Sequence, residues 1–134
     1  MKITVDHLVL ENIRPAKMRR ACPLIFIHGA GGTSRFWKNY LPYFADQGWE
    51  VYAVNLRGHY PSQRDEALAQ VTLEDYLEDV NKIILRLEIK CCALIGHSLG
   101  GLIAQKTAEN NDSIKALAVI ASAPPLGVAV EVNH

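Results

Sequence analysis

The chain has no excess of charge of either sign. Fourteen Lys and Arg side chains balance fourteen Asp and Glu. With no basic stripe and no acidic run, nothing in it points to nucleic acid or to an anionic membrane surface. Cysteine is scarce: Cys22, Cys91 and Cys92 are all there is, and none forms a CxxC. An odd count, no CxxC and no signal peptide predict a reducing, cytoplasmic compartment. Cys91 and Cys92 then read as small buried hydrophobes pointing to opposite faces of one strand. Long apolar runs are missing too. Ala116 to Val130 is too short to span a bilayer and holds Pro124-Pro125, so no transmembrane helix is expected. No internal repeat, low-complexity tract or linker is visible. Nucleotide signatures fail as well. Gly29-Ala30-Gly31 begins a G-x-G-x-x-G, but position 34 is Ser. No acidic residue closes the following strand at Asn55-Leu56, and there is no Walker A lysine. No metal or cofactor is expected.

What remains is an ordinary globular composition. Of 134 residues, 49% are hydrophobic and 21% charged, enough to bury the core of one domain spanning residues 1–134. Residues 3–10 alternate weakly and suit one short strand, with His7 an exposed strand residue. Arg14 to Arg20 reads as a solvated basic connection. Pro23 to Ile27 is a continuous apolar run, which suits a parallel strand covered on both faces. It ends in His28-Gly29-Ala30-Gly31-Gly32. Thr33 or Ser34 then caps a helical stretch whose aromatics, Phe36 to Phe44, belong to the core. Pro42 should split that stretch in two, and Gly48 should end it.

Val51 to Leu56 is the next buried strand, followed by a turn over Arg57 to Ser62. Residues 63–71 read as a polar surface loop. Thr72 caps an amphipathic helix with apolar Leu73, Tyr76, Leu77, Val80, Ile83, Ile84 and Leu87. Asp75 stands three residues after Thr72, as in a capping box. Glu74, Asp75, Glu78 and Asp79 read as solvated charges of this helix. A third strand precedes Gly96, and Ala116 to Ala121 is a fourth. Ser122 to Pro125 leave that strand. The alternation of strand and helix predicts a doubly wound, mostly parallel sheet in three α/β/α layers. Ligands of such sheets bind beyond the carboxyl ends of the strands.

Gly96-His97-Ser98-Leu99-Gly100 is the stretch around which this pattern is organised. An apolar strand leads in and a helix leads out. A serine at so sharp a turn takes a strained backbone, and side chains two residues either side of it would collide with the neighbouring strand and helix. The turn exposes the Ser98 hydroxyl and aims the first free N–H groups of the helix at whatever it attacks.

This order of segments resembles the α/β-hydrolase fold superfamily over roughly residues 20 to 127. The matching motifs are HGAGG (28–32), NLRGHYPS (55–62), GHSLGG (96–101) and the strand LAVIASAPP (117–125). Tyr60 stands where the family usually has glycine. By the resemblance Ser98 is the nucleophile, and the backbone N–H groups of Ala30 and Leu99 form the oxyanion hole. His28 and Gly29 support that loop, and His97 lines the pocket or packs beside the turn. The substrate implied is a small-molecule ester, thioester or other acyl compound. Ser98 excludes the branch with an aspartate nucleophile. Hydroxynitrile lyase and cofactor-free peroxidase branches stay open, as does a non-catalytic binding or assembly module that keeps the fold.

The family's acid and base follow the nucleophile along the chain. After Ser98 this sequence holds only Glu109, Asp112, Glu131 and His134. Glu109 and Asp112 should lie at the wrong end of the helix. The chain therefore reads as the first part of a hydrolase, without lid or last strands and with little turnover alone. The strand Ala116 to Ala121 becomes an unguarded edge, apart from Lys115. Self-association along that edge, or recruitment of the missing half in trans, is expected.

Overall fold

The computed structural model of the chain describes residues 1–62 and 70–122. Most of the expected 63–71 loop, the run Ala123 to Pro125, and the tail with Glu131 and His134 lie outside the described residues.

The strands are β1 (Lys2–Val5), β2 (Leu8–Ile13), β3 (Leu24–Ile27), β4 (Val51–Val54), β5 (Cys92–His97) and β6 (Ile114–Ile120). They form one sheet in the order β1-β2-β4-β3-β5-β6. The pairs β3·β4, β3·β5 and β5·β6 are parallel, as the alternation of elements predicts. The N-terminal part differs from expectation. Residues 3–10 are a hairpin, not one strand, and it adds antiparallel to β4. His7 accordingly lies in the hairpin turn rather than in a strand.

Period-two burial divides the core. Ile25, Ile27, Tyr52, Val54 and Leu94 face the helices α2 (Leu73–Arg86) and α3 (Leu99–Ala108). Leu24, Phe26, Val51 and Ala53 face Trp37 of a 3-10 turn (Ser34–Trp37) and Leu41 and Ala45 of α1 (Tyr40–Asp46). These are the expected three layers. The break between the turn and α1 falls at Lys38-Asn39, not at Pro42. Pro42 sits in the first turn of α1, where its missing N–H costs nothing. Thr72 and Asp75 form the full capping box, and the Thr72 N–H holds the Asp75 carboxyl below its usual range.

Two further expectations are corrected. Asp79 is not solvated. It is fully buried and takes a bidentate pair from Arg57, with Nε–Oδ2 at 3.0 Å and Nη2–Oδ1 at 2.8 Å. Such a fork satisfies both carboxylate oxygens, which is what lets a charge stay buried. Cys91 is no packed thiol either. It is bonded to Cys22, across a sequence separation of 69. The cysteines thus no longer argue for a reducing compartment. Cys92 is the free, buried cysteine, and burial pushes its thiol up to about 11, so it stays protonated beside the disulfide.

β6 is the sheet's outer strand, and Lys115 to Ile120 are all exposed. Among the described residues no helix is long and apolar enough to cross a membrane.

Candidate active site

β3 and β5 are adjacent and parallel, with Ile27 beside Gly96. The loops that leave their carboxyl ends, 28–32 and 96–100, therefore meet. Glycine makes the meeting possible. A Cβ on Gly29 would stand 3.1 Å from Ser98 Cβ and 3.3 Å from the His97 carbonyl oxygen. One on Gly100 would overlap the Ile27 carbonyl oxygen and lie 2.6 Å from that of His28.

Ser98 is the N-cap of α3 at φ 54, ψ −119. No L-residue basin lies there. Its N–H donates to Ile120 O at 3.0 Å, and its carbonyl accepts from Gly101 N–H at 2.9 Å, so the backbone is clamped from both sides. Its hydroxyl makes no capping hydrogen bond, unlike Thr72. Leu99 opens α3, whose first N–H groups lack intrahelical acceptors.

His28 is fully buried at the end of β3. Leu56 N–H donates to its Nε2 at 3.0 Å, so Nε2 carries no proton. Nδ1–H then donates to the Gly29 carbonyl at 2.6 Å. In a trans peptide the N–H points opposite to the C=O. His28 thereby turns the Ala30 N–H away from itself. Ala30 sits exposed at the loop tip. The next amide is occupied: Gly31 N–H donates to His59 Nε2 at 3.0 Å.

Burial, opposed by the Gly29 hydrogen bond, lowers the His28 pKa to about 4. The sign of the linkage follows. Below about pH 6.5 the unfolded chain binds a proton that the folded chain refuses until about pH 4. Stability is expected to fall by about 3 kcal/mol across that window and no further on this residue's account. Urea midpoints of wild type and His28→Gln across the same range check this, since the variant should lack that part of the slope.

The other described histidines do not hydrogen-bond to Ser98. The His97 ring stacks on Phe36 at 4.4 Å between centroids. His7 Nε2 lies 3.6 Å from Asp79 Oδ1, at the hairpin turn. Glu109 caps the far end of α3 and pairs with Lys106 at 2.9 Å. A helix of ten residues puts it about 15 Å from Ser98.

Two positioning residues had drawn no reading from the sequence. Asn55 is fully buried. Its Oδ1 takes the Ser34 N–H at 2.8 Å and its Nδ2 donates to Val9 O at 2.9 Å. Ser62 Oγ donates to the Asn55 carbonyl at 2.7 Å. Both lie in the 55–62 motif, which was the available signal. Among the described residues no cluster of His, Cys, Asp and Glu is arranged to hold a metal.

The chain is similar to known proteins over most of its length. A family model described as alpha/beta hydrolase fold matches residues 23–133. Protein ABHD8 of Mus musculus is 42% identical over 77 residues, covering 58% of this chain and 18% of its own length. The putative esterase/lipase 2 of Mycoplasma pneumoniae is 33% identical over 104 residues, covering 77% and 38%. The solved thioesterase domain from the curacin biosynthetic pathway superposes with a TM-score of 0.79 at 22% identity, covering 96% of this chain and 48% of that one. The chain thus spans less than half the length of each of these proteins. It belongs to the alpha/beta hydrolase fold family.

Proposed function

We propose that the chain carries the nucleophile and oxyanion loops of a serine hydrolase acting on a carboxylic ester, thioester or related acyl compound. The observation that carries this reading is the meeting of the strained Ser98 turn with the 28–32 loop, close enough that a Cβ on Gly29 would crowd Ser98 Cβ at 3.1 Å. Ser98 Oγ attacks the carbonyl carbon. The backbone N–H groups of Ala30 and Leu99 receive the oxygen as it gains charge, each worth about 3 kcal/mol in the transition state. Ala30 rather than Gly31 is the loop donor, because the Gly31 N–H is already held by His59. His28 and Gly29 support the loop, and His97 with Phe36 walls it.

A base must take the Ser98 proton. None of the four described histidines hydrogen-bonds to the Ser98 hydroxyl, so the base is drawn from outside the described residues. Turnover by this chain alone is expected to be slight. The reading of residues 1–134 as one partial hydrolase domain belongs to the same proposal. So does association along β6, with a second copy or a chain that supplies the rest of the site. The exposed apolar side chains of Leu117, Val119 and Ile120 favour it, and a light-scattering mass at the monomer's 14.9 kDa would count against it.

A fluorophosphonate probe tests the chemistry. A slow adduct is expected at Ser98, located by peptide mass spectrometry and lost in Ser98→Ala. If prolonged exposure leaves Ser98 unmodified, the non-catalytic module becomes the better account.

A further inference from the structure

His59 is buried, only 4% exposed, yet it belongs to the turn after β4 and not to the core. Both of its ring nitrogens meet backbone. Gly31 N–H points at Nε2 from 3.0 Å, and Nδ1 lies 3.1 Å from the Arg57 carbonyl. A backbone N–H donates and a carbonyl accepts. The ring must therefore hold its proton on Nδ1 and leave Nε2 bare. Gly31 has φ 75, and a Cβ placed there would touch nothing within 4 Å. No packing holds the tip of this loop. Within it, Gly32 N–H returns to the Gly29 carbonyl at 3.1 Å, which closes the turn without tying it to another segment.

We infer that His59 is a positioning residue for the 28–32 loop, holding the Gly31 amide only while its imidazole is neutral. His28 fixes the peptide plane that carries the Ala30 N–H, and His59 fixes the plane that follows it. Protonation puts a second N–H on Nε2, facing the Gly31 N–H. The acceptor is lost and two donors oppose each other, so the plane after Ala30 is free to turn.

Two further imidazoles, His28 and His7, and the charges of Arg57, Asp79 and Asp75 belong to the same region. The His28 ring stands 5.0 Å away and is neutral for the reasons given above. Arg57 of the turn pairs with Asp79 and Asp75 of α2, and His7 Nε2 lies 3.6 Å from Asp79 Oδ1. Arg57 Nη1 lies 3.8 Å from Asp75 Oδ1 and its fork is on Asp79. His59 is the imidazole that holds the Gly31 amide directly, and its variants separate its protonation from that of His7. The functional consequence rests on the oxyanion role proposed for Ala30, but the brace itself does not.

The test reads the amide directly in the 15N-labelled chain. Across an acid titration of the folded chain the Gly31 amide shift should move with the same midpoint as the His59 ring nitrogens. Its exchange protection should fall at least tenfold over the same step, while the Val54 amide in β4 stays protected. His59→Gln, whose side-chain oxygen accepts at any of these pH values, should keep protection and lose the titration. His59→Ala should leave Gly31 unprotected throughout. A Gly31 midpoint that departs from that of His59, protection retained in His59→Ala, or loss of Val54 protection over the same range each overturns the inference. Failure of the probe to modify Ser98 would remove the hydrolase reading and leave this result standing.

Discussion

Gly100→Ala is expected to cost about 4 kcal/mol or more, enough to leave much of the chain unfolded. The added methyl would coincide with the Ile27 carbonyl oxygen and press on that of His28. Both are backbone atoms at the end of a central strand. No rotamer change relieves such a contact, so α3 must lift from β3. Lifting it uncovers Ile103 and Ala104, which are fully buried, and parts the two loops of the candidate site. Small overpacking strains usually cost about 1–3 kcal/mol because side chains yield, and here the obstacle cannot. Gly31→Ala is the fitting control. Its Cβ would meet nothing, and only the positive φ is unfavourable, at about 1 kcal/mol. Urea unfolding of the two variants side by side decides the matter. A Gly100→Ala protein within 1 kcal/mol of Gly31→Ala would mean that the helix is not seated as described.

Breaking the Cys22–Cys91 bond has the second largest expected effect. The bond joins the approach to β3 with the start of β5, and these two strands carry the candidate site at their other ends. In the chain-entropy account, a closed loop set by a separation of 69 restricts the unfolded chain by about 4 kcal/mol. That is a large share of the usual 5–15 kcal/mol. Wild type should lose this stability under a reductant strong enough to raise the free thiol count from one to three. The double variant Cys22→Ser, Cys91→Ser should start there and not respond to reductant. An unchanged urea midpoint, with the thiols demonstrably free, would show that the bond constrains nothing.

These two cases differ in how far the sequence announced them. The need for glycine at Gly100 was legible from the motif, because a serine turn seated between strand and helix requires small flanks, although the carbonyls it would strike belong to β3. The strands from 24 to 120 and the cap at Thr72 were legible because each rests on residues within a few positions of one another. The disulfide was not, since pairing depends on two segments meeting after the sheet is built. Asp79 is intermediate. It lies three residues after Tyr76 and four before Ile83, on the margin of the apolar stripe, so its burial was readable. Its partner Arg57, in another connection, was not. The hairpin at residues 2–13 hid behind its turn. Asp6 takes φ 51 with no glycine or Asn-Gly to mark it. In the candidate site Ser98, Ala30 and Leu99 were named from motif, whereas the bonds of His28 and His59 needed three dimensions.

The backbone angle at Ser98 also bears on why a serine stands there at all. A residue with a β-carbon held at φ 54, ψ −119 carries about 1–3 kcal/mol of strain that glycine would relieve. Its hydroxyl returns none of this through capping. Selection for a sturdy fold alone would therefore drift this position toward glycine, since drift removes what stability disfavours and nothing defends. On the nucleophile role proposed above, the hydroxyl itself is what this strain is kept for. At this position the folded chain by itself would be better off with less.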